Sequence, residues 1–393
     1  MIASKIYIDK RCIENDVNML LILHLLTAVG TLGILIQSLA NILWLRSSGC
    51  EPESRDRGKV SVLIPSRNEE ANLPRCLESL LDQSYPNYEI VVLDDCSQDR
   101  TGQIIGEYVR RYPKRVRGIR GEPPPRGWNG KTYAMQLLSR HARGEYLMYT
   151  DADTIHSRRS IAWAATNINK HRADFLSGYV HHQICSFGEA LIVPTMYIMS
   201  AIVLPLWLIP RLQANMISFA VGQLVMFRRP AFDAVGGYES VADQISEDVF
   251  IARAVKQAGF RTIFLDLGEQ VRCRMYDGYR RSFEGITKNI YDFFKNQPAF
   301  FASVASILAA FIVLPLVLIP IELYTGNPLV RFSAFSTLTF ATAWSLTLYD
   351  RGQKWWLPLL YPLTFTHLLY MAWRSFGRVR MDVGIVWKGR VVK

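Results

Sequence analysis

Apolar and charged residues are distributed unevenly along this chain of 393 residues. Residues 19–45 contain no charged side chain and are numerous enough to cross a hydrocarbon core of roughly 30 Å as one helix. A cleaved signal peptide has a shorter apolar stretch, so this run is typical of a retained membrane anchor. We therefore predict an N-terminal segment, residues 1–50, that contains the anchor.

Three further uncharged runs lie near the C-terminal end, at residues 299–321, 332–349 and 355–373. The first is long and strongly apolar, whereas the second is shorter and rich in Ser and Thr. The third contains two prolines, which leaves open a re-entrant or interfacial hairpin. We expect two to three C-terminal transmembrane helices in a region, residues 299–393, that ends in a basic cytosolic tail.

One more uncharged run, residues 190–210, interrupts the middle of the chain and contains three prolines. We predict that it forms helices lying in the membrane interface. The alternative is a pair of helices buried in a protein core.

The middle block, residues 51–298, has the mixed composition of a globular domain. Strands are predicted at residues 60–64, 89–93 and 146–150, and helices near residues 73–81, 101–111 and 132–141. This βαβα alternation implies an α/β domain with a mostly parallel sheet and helices on both faces. Ligands of such sheets bind beyond the carboxyl ends of the strands.

Acidic residues follow two of the predicted strands at those ends. Asp94 and Asp95 end the second strand, and Asp151 and Asp153 follow the strand at residues 146–150. Carboxylates spaced i, i+2 suit a hard divalent cation, Mg²⁺ or Mn²⁺. A single Asp here is more often a turn or cap residue, but two such sites on neighbouring strands favour a functional site.

Two further polar sites stand at predicted helix starts. Lys131 follows a glycine turn and is well placed to contact a diphosphate. Glu247 and Asp248 precede another helix, where a capping role is the alternative. The chain has no GxxxxGK[ST] pattern at Lys131, so ATP or GTP hydrolysis is not indicated.

Composition changes the interpretation of the charge. The net charge is +11, yet the mean hydropathy of +0.08 favours membrane association over nucleic-acid binding. A large share of the excess lies in the tail from Arg374 onward, where contact with anionic lipid headgroups is expected. The six cysteines show no CxxC spacing, which argues against a zinc site. No nucleic-acid partner is expected.

Five motifs occur in a fixed order along the middle block. They read VSVLIPSRNEE from Val60, QSYP from Gln83, VLDDCSQDRT from Val92, then Asp151-Ala-Asp153 and Glu247-Asp248. In these motifs the chain, from Val60 to about Asn289, resembles the family 2 glycosyltransferases. The resemblance implies a GT-A fold, a nucleotide-sugar donor, with a UDP-sugar as the first choice, and a Mg²⁺ or Mn²⁺ cofactor.

The resemblance also assigns roles to individual residues. Donor binding falls to Pro65, Arg67, Glu69, Asp94, Asp95, Lys131 and Asp151, and the metal to Asp151 and Asp153. The catalytic acidic pair is Glu247 and Asp248, with Asp248 as the base. The acceptor or diphosphate side takes Gly222, Gln223, Arg274 and Lys288. The Q/RxxRW motif of processive members is absent from residues 283–289, which puts polymer synthesis in doubt.

Shorter motifs are similar to those of a membrane subgroup that glycosylates terpenoids. They read WNGK from Trp128, RMY from Arg274, GITKN from Gly285 and WKGR from Trp387. This subgroup contains carotenoid glycosyltransferases, of the diaponeurosporenoate and myxoxanthophyll types, and hopanoid-associated enzymes.

The similarity implies an inverting transfer of a hexose to a hydroxyl or carboxyl of a lipid-soluble terpenoid, with a carotenoid as the first choice. A hopanoid or polyprenyl-phosphate acceptor is the alternative, and a non-catalytic membrane transport or scaffold protein is the rival from another class. We expect a multi-pass protein of the cell membrane whose catalytic domain faces the cytoplasm.

Overall fold

The computed structural model describes residues 10–51, 58–296, 298–381, 385–387 and 390–392. The helices are α1 Lys10–Ser48, α2 Leu73–Leu81, α3 Thr101–Arg111, α4 Gly130–His141, α5 Ser160–Lys170, α6 Phe187–Ile192, α7 Arg229–Ala234, α8 Glu247–Gln257, α9 Gly278–Asn296, α10 Pro298–Leu308, α11 Leu314–Thr325, α12 Val330–Asp350 and α13 Tyr361–Arg380. The strands are β1 Val60–Ser66, β2 Tyr88–Asp94, β3 Val116–Arg120, β4 Tyr146–Thr150, β5 Thr154–His156, β6 Phe175–Tyr179, β7 His181–His182, β8 Leu224–Arg228, β9 Thr262–Asp266, β10 Val271–Cys273, β11 Ile385–Trp387 and β12 Arg390–Val392. Lys388 and Lys393 of the predicted basic tail lie outside the described residues.

A seven-stranded sheet forms the centre of the middle block, residues 51–298, in the order β3-β2-β1-β4-β8-β6-β9. Neighbouring strands are parallel except around β8, which runs antiparallel to both β4 and β6. The predicted α/β fold with a mostly parallel sheet is therefore confirmed.

Hydrophobic cores cover both faces of this sheet. Along β1, Val60, Val62 and Ile64 enter one core, whereas Leu63 enters the other. Successive side chains of a strand point to opposite faces, so a nearly continuous apolar strand can fill both cores at once. Because β1, β2 and β4 are parallel, their carboxyl ends meet at one edge of the sheet.

The C-terminal helices pack against the N-terminal helix and against the middle block. Helix α1 runs beside α12, and Arg46 at its end pairs with Asp350 at the end of α12, 2.6 Å between Nε and Oδ1. Helices α10 and α11 are joined by a π-helical turn, Ala309–Val313, into one continuous helical stretch. By length and apolar composition, two stretches of the described chain can cross a membrane, Asn18–Ser48 and Ala302–Thr325.

The third C-terminal run forms one helix, α13, after a short 3₁₀ turn at Leu357–Leu360. Its two prolines lie in or next to that turn and at the start of α13, where proline is tolerated because the missing N–H has no helical partner there. Helix α13 packs along α9 and α6 of the middle block. The run therefore forms a single helix and not the hairpin that its two prolines had left as a possibility.

The run at residues 190–210 differs from our prediction of interfacial helices. It forms short pieces, the end of α6, a 3₁₀ turn at Val193–Thr195, a π-helical turn at Ile198–Val203 and a 3₁₀ turn at Leu206–Leu208. Most of its described side chains are buried, and Asn41 of α1 donates hydrogen bonds to the carbonyls of Ala201 and Leu204, both at 2.8 Å. Prolines break the run into turns, so it has no continuous exposed apolar face and belongs to the core.

We predict that Gly178→Ala destabilises the fold by about 1–3 kcal/mol, because overpacking displaces backbone. A Cβ at Gly178 in β6 would lie 2.2 Å from the carbonyl oxygen of Leu265 in β9, which neither strand can accommodate without moving. Gly33→Ala in α1 is the matched control, since a Cβ there meets no atom within 4 Å. Thermal unfolding of the detergent-solubilised protein measures both, and equal midpoints for the two variants would contradict the packing of β6 on β9.

Candidate functional site

A cleft of about 1430 Å³ opens at the carboxyl ends of the parallel strands. Thirteen of the fourteen predicted site residues line it: Pro65, Arg67, Glu69, Asp95, Lys131, Asp151, Asp153, Gly222, Gln223, Glu247, Asp248, Arg274 and Lys288. Asp94 is the exception. The fold thus brings together residues that lie more than two hundred positions apart in the sequence.

Lys131 occupies the centre of the polar end of the cleft. Asn129 caps α4 by accepting a hydrogen bond from the backbone N–H of Lys131 at 3.1 Å, which fixes the start of the helix. The Lys131 ammonium lies 2.9 Å from Oδ1 of Asp151 and 2.8 Å from Oε1 of Glu247. Burial alone would lower the pKa of Lys131, but the charges of these two carboxylates outweigh it and hold that pKa well above its usual range.

Asp248 lies beside this ion pair at the first turn of α8. Its Oδ2 accepts a hydrogen bond from the backbone N–H of Gly222, and its Oδ1 accepts one from the N–H of Val249, both at 2.8 Å. Burial and then the charge of Glu247 raise the pKa of Asp248 to about 7, while Lys131 opposes the shift. A carboxylate with this pKa is suited to take up and release a proton near neutral pH.

The two acids of the Asp151-Ala-Asp153 segment follow β4 in a tight turn. The backbone carbonyl of Asp151 accepts hydrogen bonds from the N–H of Thr154 at 3.3 Å and from its hydroxyl at 2.7 Å, so the chain bends out of the strand as predicted. Within the described part of the chain, no group of three or more His, Cys, Asp or Glu side chains is placed to hold a metal ion. Two carboxylates nevertheless fit Mg²⁺ or Mn²⁺, because such cations keep water and substrate phosphate oxygens as their remaining ligands.

The loop after β1 forms another part of the cleft wall. The Arg67 guanidinium donates hydrogen bonds to the carbonyls of Asp95 at 2.6 Å and Cys96 at 3.2 Å. Asn68 and Cys96 adopt left-handed backbone conformations, φ +52° and +54°, so both loops turn sharply at this edge. Asp95 is buried at the wall of the cleft.

Asp94 differs in position from its neighbour Asp95. Its Oδ1 accepts a hydrogen bond from the backbone N–H of Ser97 at 3.0 Å, which closes the turn after β2. Its side chain does not line the cleft. Asp94 thus closes a turn, whereas its neighbour Asp95 lines the cleft, and the donor-binding role of both stays a prediction.

Arg274 is held in place by a buried carboxylate that the sequence analysis missed. Its guanidinium lies 2.8 Å from Oε1 of the fully buried Glu189 and 2.8 Å from Oδ1 of Asp277. Burial alone would raise the pKa of Glu189, but hydrogen bonds from Arg274, then from the N–H groups of Cys185 and Gly278, lower it to about 2. The Ser186-x-x-Glu189 capping box is the sequence signal that could have revealed this glutamate.

We predict that Lys131→Met lowers the free energy of unfolding by about 1–3 kcal/mol at pH 8. This loss is smaller than that for a fully buried ion pair, because the Lys131 side chain is partly exposed. The variant leaves the carboxylates of Asp151, Glu247 and Asp248 facing one another. The folded-state pKa of Asp248 is raised, so its proton is bound below about pH 7 and the repulsion weakens there. The loss should therefore be smaller at pH 5.5 than at pH 8.

Chemical unfolding at the two pH values measures this difference. Arg280→Gln, which removes an exposed partner of Glu284, is the control and should cost less than about 1 kcal/mol at either pH. A loss for Lys131→Met that is independent of pH would contradict the electrostatic account of the cluster.

Comparisons with known proteins agree with this geometry. Residues 61–236 match the family model described as Glycosyl transferase family 2. EpsE of Bacillus subtilis (strain 168), named as a glycosyltransferase, is 29% identical over 204 residues, which cover 52% of this chain and 68% of EpsE. The 4,4'-diaponeurosporenoate glycosyltransferase of Staphylococcus haemolyticus is 25% identical over 253 residues, 64% of this chain and 66% of that protein.

Among solved structures, the mannosyltransferase PcManGT from Pyrobaculum calidifontis, in complex with GDP-Man and Mn²⁺, has a similar fold. The TM-score is 0.56 at 19% sequence identity, over 90% of this chain and 97% of that one. The fold, the cleft and the matched motifs agree, and residues 61–236 are a glycosyltransferase family 2 domain.

Proposed function

We propose that the protein transfers a hexose from a nucleotide-sugar to a lipid-soluble terpenoid at the surface of a membrane. The observation that carries this proposal is the extent of the cleft. It runs without a break from the acidic cluster at the strand ends to a groove lined by aliphatic side chains of α9, α10 and α13. Helix α10 belongs to a stretch that is apolar enough to cross a membrane.

The polar end is suited to the donor. Arg67, Glu69 and Asp95 line the wall that would take the nucleoside, with a UDP-sugar as our first choice. Asp151 and Asp153 would hold Mg²⁺ or Mn²⁺, which supplies positive charge to the departing nucleotide diphosphate when bound. Lys131 lies next to Asp151 and adds a second positive charge at the same place.

Asp248 is suited to activate an acceptor hydroxyl. Both of its oxygens are oriented by backbone N–H groups, so the carboxylate is fixed at the floor of the cleft. An in-line attack by the activated oxygen breaks the bond between the anomeric carbon and the diphosphate. The configuration at that carbon is thereby inverted, so an α-linked donor would yield a β-linked product.

The apolar end is suited to a long hydrocarbon acceptor. This end of the cleft is lined by Val304, Ala305 and Leu308 of α10 and by Leu368 and Ala372 of α13. A terpenoid dissolved in the bilayer cannot diffuse to a site that opens only to water, and burial of its chain here contributes about 25 cal/mol per Å². The name of the Staphylococcus haemolyticus relative supports a carotenoid acceptor. A hopanoid or a polyprenyl phosphate remains the second choice.

The helix packing supports a particular arrangement in the membrane. We propose that α1, the α10–α11 stretch and α12 cross the bilayer, while α13 lies against α9 at the cytoplasmic surface. The two crossings that follow residues 51–298 return α13 and its arginines to the same side as that block. This arrangement satisfies the tendency of basic segments to remain cytoplasmic.

We predict that Asp248→Asn lowers kcat/KM with a hydroxyl acceptor by about 10²–10⁴-fold, the usual contribution of a general base. In the wild type, kcat/KM should rise as the pH passes upward through about 7, because the ionised form of Asp248 takes the proton. Steady-state kinetics over pH 5.5–9 measure both effects. Turnover near the wild-type value in the variant would remove Asp248 from this role.

We predict that Ala305→Trp abolishes transfer to a lipid acceptor but leaves nucleotide binding intact. An indole at this position would fill the groove between α10 and α13, far from the donor residues. Ile307→Trp on the exposed face of the same helix is the matched control, because its side chain does not line the cleft.

Transfer of labelled sugar and binding of the free nucleotide should be measured for both variants. Equal transfer by the two tryptophan variants would mean that the acceptor does not use the groove. A loss of nucleotide binding in the Ala305 variant alone would contradict the division of the cleft into donor and acceptor ends.

A further inference from the structure

Two side chains beside the acidic cluster each carry a buried oxygen that forms no hydrogen bond with any residue the structure describes. They are Gln223, of which 7% is exposed, and Ser246, of which 6% is exposed. Both residues line the cleft. A buried polar atom that is left unpaired destabilises a fold, so two of them in one cleft indicate a partner that the chain itself does not supply.

Gln223 is tied to both ends of the reaction path. Its backbone carbonyl accepts a hydrogen bond at 2.7 Å from the hydroxyl of Thr150, the residue directly before Asp151. The residue before it, Gly222, donates its N–H to Asp248 at 2.8 Å. Gln223 therefore lies where the segment that bears the predicted metal ligands comes closest to the predicted base.

The close approach of Gly222 confirms this placement. A Cβ at Gly222 would lie 3.3 Å from Oδ2 of Asp248 and 3.5 Å from Nζ of Lys131. The backbone that carries Gln223 is thus in contact with the centre of the acidic cluster. The torsion that orients a glutamine amide is broad, so either atom of the amide can turn toward a ligand in the cleft.

Ser246 lies on the other side of the same cluster. It precedes α8 at the capping position, but its side chain forms no capping hydrogen bond, although serine is favoured there for that purpose. Its backbone N–H donates to buried Asp292 of α9 at 2.8 Å, so the residue is held in place while its hydroxyl stays unused. The next residue, Glu247, pairs with Lys131 at 2.8 Å.

The chemistry of the transfer identifies the ligand for these two groups. In the proposed function the diphosphate lies at Asp151 and Lys131, and the base is Asp248. The transferred sugar connects the diphosphate to the carbon that is attacked, so its hydroxyl groups lie among the same three residues. A sugar hydroxyl both donates and accepts hydrogen bonds, and an amide and a serine hydroxyl can do the same.

We infer that Gln223 and Ser246 bind hydroxyl groups of the transferred sugar, and that Gln223 selects the nucleotide-sugar by one of those hydroxyls. The inference rests on the proposed function, from which it takes the positions of the diphosphate and of the base. It gives Gln223 a different ligand from the acceptor or the diphosphate that the family resemblance implies.

Binding of nucleotide-sugars to the full chain in detergent, measured by calorimetry with Mn²⁺, tests the inference without an acceptor. The probes are UDP-glucose, UDP-N-acetylglucosamine and GDP-mannose, each compared with free UDP or GDP. For the nucleotide-sugar that the wild type binds most tightly, we expect Gln223→Met to weaken binding ~10-fold and Ser246→Ala to weaken it ~3-fold or more. Binding of the free nucleotide should not change. Gln103→Met, the same substitution on the exposed surface of α3, is the matched control.

Analogues of that nucleotide-sugar, each lacking one hydroxyl, identify the group that Gln223 binds. We expect the wild type to bind one analogue ~10-fold more weakly than the parent compound. Gln223→Met should bind that analogue and the parent with affinities within ~3-fold of each other. The two losses are then not additive, as expected for groups in direct contact.

Stability separates sugar recognition from a structural role. Because the two oxygens have no partner within the described part of the fold, Gln223→Met and Ser246→Ala should leave the midpoint of thermal unfolding of the ligand-free protein unchanged or raise it. Loss of a structural hydrogen bond would lower that midpoint.

Two results would overturn the inference outright. One is unchanged binding of the nucleotide-sugar by Gln223→Met, and the other is an equal loss for the nucleotide-sugar and the free nucleotide, which would assign Gln223 to the diphosphate. A lower midpoint of the ligand-free variants would contradict it as well, and a wild type that binds none of the three nucleotide-sugars would contradict both proposals. Failure of the proposed function alone looks different. In that case no lipid is labelled or Asp248→Asn remains active, while the contrast between nucleotide-sugar and free nucleotide persists.

Discussion

The ion pair between the Lys131 ammonium and two carboxylates, Asp151 and Glu247, is the interaction on which the site depends. It joins the start of α4, the end of β4 and the start of α8, three elements that are distant in sequence. Without that positive charge, three acids would face one another in a partly buried cleft, and repulsion would drive the elements apart. The same charge opposes the rise in the pKa of Asp248, so stability and proton transfer are set by one lysine.

The apolar end of the cleft is formed by helices that lie outside the central sheet. Helices α9, α10 and α13 extend its wall beyond the sheet and replace polar side chains with aliphatic ones. One continuous cavity therefore offers charge at one end and an apolar surface at the other. Such a cavity suits the proposed reaction between a water-soluble donor and a membrane-soluble acceptor. Arg274, held by buried Glu189, ties the segment after β10 to α6 at this transition.

Local sequence patterns predicted the regular elements well and the long-range packing poorly. Helix α3 and strand β4 have the predicted bounds because hydrophobic periodicity and turn residues act over a few positions. The antiparallel placement of β8 depends on a long connection that no local pattern records. The segment at residues 190–210 is buried because Asn41 and the rest of α1 cover it, a contact across about 160 positions.

The candidate site, too, was predictable where it depends on local motifs and not where it depends on long-range packing. Thirteen of its residues could be named from motifs, but the choice between Asp94 and Asp95 could not be made from sequence. Neighbouring residues at the end of a strand point to opposite sides, and only the folded structure shows which of them lies at the cleft. Lys131 was predicted to meet a diphosphate, and its two acidic partners became visible only when β4 and α8 were in place. Glu189 was missed because a glutamate next to an apolar run looks like a surface residue until its burial is known.

We propose above that one cleft joins a nucleotide-sugar site to the membrane, and lipid labelling tests this directly. Membranes containing the protein should be incubated with a panel of labelled nucleotide-sugars and Mn²⁺ and then extracted with organic solvent. We expect label from one donor to enter the solvent-soluble lipid fraction, and membranes containing the Asp151→Asn variant not to transfer it. Label found only in water-soluble or polymeric material, with none in the lipid extract, would contradict the account.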